Sequence, residues 1–246
     1  MKNILVLGAT SAIAMECTKI WASQKSRFFL VGRDEEKLSQ TAADLVSRGA
    51  TSVSTYGLDL TDSTRFDSMI DTCINTIGQI DLILLAHGTL PDQKSCESDI
   101  DLAIREFHTN CLSSISLLTK LAPILEQQGC GKVVVISSVA GDRGRASNYL
   151  YGAAKAAVST FTEGLRGRLF KSGVHVLLVK PGFVDTPMTK DLNLPKLLVS
   201  SPQKVAEQIT AGVEANRNVL YTPGFWALIM LIIKTIPSSI FKRLPL

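Results

Sequence analysis

Read for apolar and polar positions, the chain alternates short β-prone runs with stretches of helical periodicity. The runs Lys2 to Leu7, Phe28 to Gly32, Ser52 to Tyr56, Ile80 to Leu85, Cys130 to Ile136 and Val174 to Val179 are bounded by glycine, proline or polar turns. Most are continuously apolar, the pattern of parallel strands covered on both faces. Helical periodicity runs to about Ser23, from Glu35 to Arg48, and from an expected N-cap at Thr61 to about Thr76. It returns as one or two helices over 98–127, and as a helix carrying Tyr151 to about Phe170. Strand and helix in strict alternation predict an α/β fold, a Rossmann-like doubly wound parallel sheet with helices on both faces. At 246 residues this is one domain, expected over 1–222, with a separate apolar tail over 223–246.

Composition narrows the function classes. A hydrophobic content of 46% is ample for a core, and a net charge of +4 without a long basic run argues against nucleic acid as a partner. The five cysteines are scattered, and neither they nor His87, His108 and His175 have metal-ligand spacing. No metal is expected, and the thiols read as reduced and cytosolic. The chain starts on a strand without a charged leader, so a cytoplasmic location is expected, with a peripheral place at the inner membrane face left open.

Chemistry concentrates at the C-terminal ends of the strands. The first ends in Gly8-Ala9-Thr10-Ser11-Ala12-Ile13-Ala14 before a helix, where free N–H groups and a partial positive charge suit a pyrophosphate. Ala12 and Ala14 stand where such loops usually carry glycine; a plain βα turn is the alternative. The second strand ends at Arg33, which suits the 2′-phosphate of NADP or simply caps the sheet edge; Asp34 comes one residue late for the 2′-hydroxyl of NAD. The fifth strand ends in Ser137-Ser138, and thirteen residues after Ser138 comes Tyr151, with Lys155 one helical turn further on. A phenol ionises near pH ~10, and an adjacent ammonium lowers that value. Such a tyrosine can exchange a proton with a substrate oxygen near neutral pH. Taken singly, a tyrosine–lysine pair is ordinarily a helix surface pair and two serines a turn; the combination is far more specific.

On these residues the chain resembles the short-chain dehydrogenase/reductase family over about 1–222. The resemblance implies hydride transfer between a nicotinamide, NADP(H) favoured over NAD(H), and a carbonyl or alcohol. It implies that Ser138 hydrogen-bonds the carbonyl, that Tyr151 is the general acid in reduction, and that Lys155 lowers the Tyr151 pKa and holds the nicotinamide ribose. It implies that Asn110 supports a water relay to Lys155, with a buried polar group at a helix kink as the alternative. The cofactor set it implies comprises Gly8, Thr10, Ser11, Ala12, Ile13, Arg33, Asp59 and Leu60 toward the adenosine half. Ala86, Gly88, Lys155, Pro181, Gly182, Val184 and Thr186 complete it toward the nicotinamide. The chain departs from the family pattern at Leu85-Ala86-His87-Gly88, where His87 reads as structural. Members are often homo-oligomers.

Gly141-Asp142-Arg143-Gly144-Arg145 and the tail resemble reductases acting on polyprenyl-phosphoryl keto-pentoses, which implies an oxidase partner and an arabinofuranose donor as product. Arg143 and Arg145 are then expected at the site mouth, where guanidinium groups suit phosphate; a solvated loop is the alternative. A 3-keto lipid (3-oxoacyl or keto-sphingoid) is a second substrate class, and a non-catalytic nucleotide-binding scaffold a reading of another class. Phe225 to Ile233 is too short to span a bilayer, which needs about twenty apolar residues. The tail therefore lies in a membrane interface with Trp226 at headgroup level, or covers a greasy channel, or packs in the fold or an oligomer contact.

Overall fold

The structure, a computed structural model, describes residues 1–190 and 192–244. The chain enters on β1 (Asn3–Leu7), α1 (Ala12–Ala22), β2 (Arg27–Gly32), α2 (Glu35–Ser47), β3 (Ser52–Gly57) and α3 (Phe66–Ile77). It continues through β4 (Leu82–Leu85), α4 (Gln93–Ser98), α5 (Ile100–Phe107), α6 (Ser113–Gln128), β5 (Gly131–Ile136), α7 (Tyr149–Phe170) and β6 (Val174–Pro181). It closes with α8 (Pro202–Glu214), β7 (Val219–Thr222) and α9 (Phe225–Thr235). These seven strands form one sheet in the order β3-β2-β1-β4-β5-β6-β7, every pairing parallel, and Phe183–Val184 pairs separately with Val199–Ser200. The expected doubly wound sheet is the observed one.

Side-chain alternation builds a core on each face of the sheet. In β1, Leu5 and Leu7 join one cluster with α3, α6 and α7, whereas Ile4 and Val6 join another with α1, α2 and α8. In β5, Val133 and Val135 face the first cluster and Val134 the second. The strand order reverses between β1 and β4, which opens a crevice at the strands' C-terminal ends.

Local differences from the sequence reading have local causes. Thr61 does not cap α3: it donates both its N–H and its hydroxyl to Asp59, and Asp62 caps a short 3₁₀ turn, Ser63–Arg65, that precedes the helix. The sheet gains β7 beyond the sixth strand, and α8 precedes it. Trp226 does not sit at headgroup level as expected, because it packs inward. Trp226 and Met230 of α9 are buried against Val139, and the Trp226 indole meets Phe183 edge-on at 5.1 Å. Gly182 makes room for that indole, since a Cβ there would lie 1.9 Å from Nε1. No helix among the described residues is long and apolar enough to cross a membrane.

Candidate active site

The β1–α1 turn is fixed by two features of its sequence. Ser11 accepts from the Ala14 N–H and caps α1, leaving the helix's first N–H groups directed at the crevice. Gly8 holds φ at +84° with a would-be Cβ only 2.6 Å from the His87 nitrogen, so the turn closes on the end of β4 only with glycine. Gly8, Thr10, Ser11, Ala12 and Ile13 all line one cavity of about 410 Å³. Arg33, Asp59, Leu60, Ala86 and Gly88 line the same cavity, as do Pro181, Gly182, Val184 and Thr186. The donor set, a capped helix N-terminus with a glycine turn and a neighbouring guanidinium, fits a phosphorylated dinucleotide.

Arg33 sits exposed past β2, and among the described residues its one carboxylate contact is a loose 3.8 Å approach to Asp59, which leaves the guanidinium available. Asp34 is committed elsewhere: it caps α2 by accepting from the Lys37 N–H at 3.0 Å and pairs with the Lys37 ammonium.

The catalytic candidates converge at the other end of the cavity, where Ser138, Tyr151, Lys155 and Asn110 all line the wall. Ser137 anchors α7 to the end of β5 by donating to the Lys155 carbonyl at 2.9 Å, with Ser159 alongside at 2.8 Å. Ser138 accepts from the Ala140 N–H, which turns the chain back under α7. Lys155 is 4% exposed and donates to the Ile136 carbonyl at 3.3 Å; its ammonium lies 5.8 Å from the Tyr151 ring centre. The expected lowering of the Tyr151 pKa by Lys155 is absent in the protein alone. Burial pushes the phenol up to about 12, with the Ser138 hydroxyl pulling the other way, and burial brings Lys155 down to about 8. Desolvation penalises the charged form of each group. At neutral pH the phenol is therefore protonated, the form a proton donor requires.

Asn110 occupies a π-helical turn, His108–Leu112, between α5 and α6. The Asn110 amide donates to the Glu106 carbonyl one turn back at 3.0 Å. The Asn110 oxygen accepts from the Thr89 N–H, and its nitrogen also reaches the Thr89 hydroxyl. Thr89 in turn donates to the Glu106 carboxylate. A Cβ on Gly88 would stand 2.8 Å from the Asn110 oxygen and 3.4 Å from the Lys155 ammonium, so this glycine keeps the space between them open. Asn110 thus satisfies the backbone at the kink and also lines the cavity. Thr89 and Glu106 escaped the sequence reading; Glu106 stood one turn before Asn110, a spacing that could have drawn attention to it.

His87 is neutral, held down to about 3 by burial with Lys155 adding to the effect. Its Nε2 meets the Ser113 hydroxyl at 2.6 Å. That hydroxyl donates to the Thr109 carbonyl, so His87 carries its proton on Nε2 and packs as a wall residue.

The two loop arginines separate. Arg145 lines the cavity with Asn148, Phe183, Met188 and Leu192. Arg143 does not reach the mouth: it donates to the Ile233 and Ile236 carbonyls at the end of α9 and stacks on Phe241 at 3.8 Å. Those carbonyls lack helical partners, which explains where the guanidinium goes.

Comparison with known proteins follows this geometry. The short chain dehydrogenase family model matches residues 2–196. An uncharacterized oxidoreductase of Mycobacterium tuberculosis (strain ATCC 25618 / H37Rv) is 33% identical over 244 residues, covering 98% of this chain and 96% of that protein. One from Streptomyces coelicolor is 32% identical over 244 residues, covering 99% and 96%. The crystal structure of levodione reductase superposes with a TM-score of 0.82 at 20% identity, over 92% of this chain and 98% of that one, a likeness of fold.

Proposed function

We propose, for a chain that belongs to the short-chain dehydrogenase/reductase family and is thus an oxidoreductase using a nicotinamide cofactor, that it reduces a keto group with NADPH. The cofactor supplies the hydride. Gly8, Ser11 and the α1 N-terminus hold its pyrophosphate, Arg33 its 2′-phosphate, and Lys155 its nicotinamide ribose. Ser138 orients the carbonyl oxygen, and the protonated Tyr151 gives it a proton. Asn110, fixed by Thr89 and Glu106, keeps a polar path open to Lys155, which replenishes that proton. The observation that carries this reading is the convergence of Ser138, Tyr151, Lys155 and Asn110 at one end of a cavity whose other end is lined by Gly8 and Arg33.

The substrate we infer is a keto sugar joined to a lipid phosphate. Arg145 supports an anionic substrate. Its Nε is buried without a hydrogen-bond partner among the described residues, and its Nη2 donates to the Met230 sulfur at 3.4 Å. The neighbouring Asp142 is already taken by Lys180 at 2.6 Å and Tyr221 at 2.7 Å. A half-buried cation without a carboxylate among the described residues is costly until an anion joins it. Phe183, Met188 and Leu192 offer the apolar side that a lipid needs. The test is NADPH oxidation with a polyprenyl-phosphoryl 2-keto-pentose in detergent, with a neutral 3-keto lipid and NADH alongside. Turnover of the phosphorylated lipid, weakened at least tenfold in Arg145→Gln, supports the assignment; preference for the neutral lipid refutes the anionic substrate.

A further inference from the structure

Helix α9 divides into two faces. Trp226 and Met230 point inward, while Phe225, Leu228, Leu231 and Ile232 stand 44–62% exposed along the opposite side. Ile240, just beyond Pro237, extends this surface at 54% exposure. The helix is held in one orientation by Arg143 on its last carbonyls and by Trp226 over Gly182, so its outer face is a fixed feature of the surface.

Charge identifies what suits that face. Segment 215–246 contains no aspartate or glutamate. Lys234, Lys242 and Arg243 are exposed at the end of the apolar stripe, and their side chains form no ion pair among the described residues. A second copy docked through the same face would bring like cations together with no acidic side chain of this segment to neutralise them. An anionic bilayer supplies both complements, acyl chains for the leucines and headgroups for the cations.

We propose that the outer face of α9, with Lys234, Lys242 and Arg243, is a docking surface for an anionic lipid bilayer, with the helix lying in the interface plane. The same helix carries Met230, whose sulfur contacts Arg145 in the cavity wall, so docking sets the substrate cavity beside the bilayer.

The experiment is co-sedimentation of the full chain with phosphatidylcholine vesicles and with vesicles also containing phosphatidylglycerol. The account expects binding to the phosphatidylglycerol vesicles only, reduced by added salt. It expects Lys242→Gln to weaken binding about fivefold, and Leu228→Gln with Leu231→Gln to abolish it while thermal unfolding stays as in the parent. Absence of binding overturns the proposal, as does equal binding to both vesicle types. A dimer in sedimentation equilibrium that the leucine variants convert to monomer, without vesicle binding, assigns the face to a second copy instead.

Discussion

At the scale of single residues, the site is governed by desolvation. Lys155 is buried with a pKa brought down to about 8, so between about pH 8 and its unfolded value of 10.5 the unfolded chain binds the extra proton. Stability of the cofactor-free protein from this group therefore rises with pH across that window, by a few kcal/mol at most. Tyr151 acts oppositely: its proton is held up to about 12, and its contribution falls as pH rises above 10. Urea unfolding at pH 8 and pH 9.5 checks this, and Lys155→Met is expected to lose the rise. Arg33→Ser is expected to raise the KM for NADPH by about tenfold or more and leave that for NADH nearly unchanged, because a charge-assisted bond to phosphate is worth about 1.5–3 kcal/mol. Steady-state kinetics with both cofactors decides it.

At the scale of elements, legibility followed burial. Strands such as β1 and β5 are apolar on both faces because helices cover both, and their sequence shows it. β7 is a four-residue edge strand, Val219–Thr222, behind polar Asn216-Arg217-Asn218, too short to register as a run. Helix α8 carried a signal that went unread, Ser201 as cap with Pro202 in the first turn. The π-turn around Asn110 has no periodic signature, since only the tertiary bonds to Thr89 and Glu106 select it. Arg143 was misplaced for a similar reason: a guanidinium in a glycine-flanked loop suits a phosphate or a helix end equally, and only packing chooses. The βα turn makes a sharp prediction. Gly8→Ala places a methyl against the His87 backbone at positive φ, and is expected to cost about 1–3 kcal/mol in chemical denaturation and to weaken dinucleotide binding.

At the scale of the whole molecule, a buried ion pair ties the loop between β5 and α7 to the C-terminal half. Asp142 and Lys180 are 3% and 10% exposed, and Tyr221 of β7 completes the set. Lys180→Met leaves Asp142 without its cation in a buried place and is expected to destabilise the protein by about 3–5 kcal/mol, readable from the urea midpoint. At the other end of that loop lie Ser138 and Tyr151, the residues proposed to meet the substrate oxygen. The measurement that tests that role most directly is NADPH oxidation by the parent and by Tyr151→Phe, against the polyprenyl-phosphoryl 2-keto-pentose and the neutral 3-keto lipid, with NADPH binding measured in parallel. The account predicts turnover of a keto substrate by the parent, a loss of about 10²–10⁴-fold in the variant, and unchanged NADPH affinity. Turnover by Tyr151→Phe at the parent's rate would contradict it.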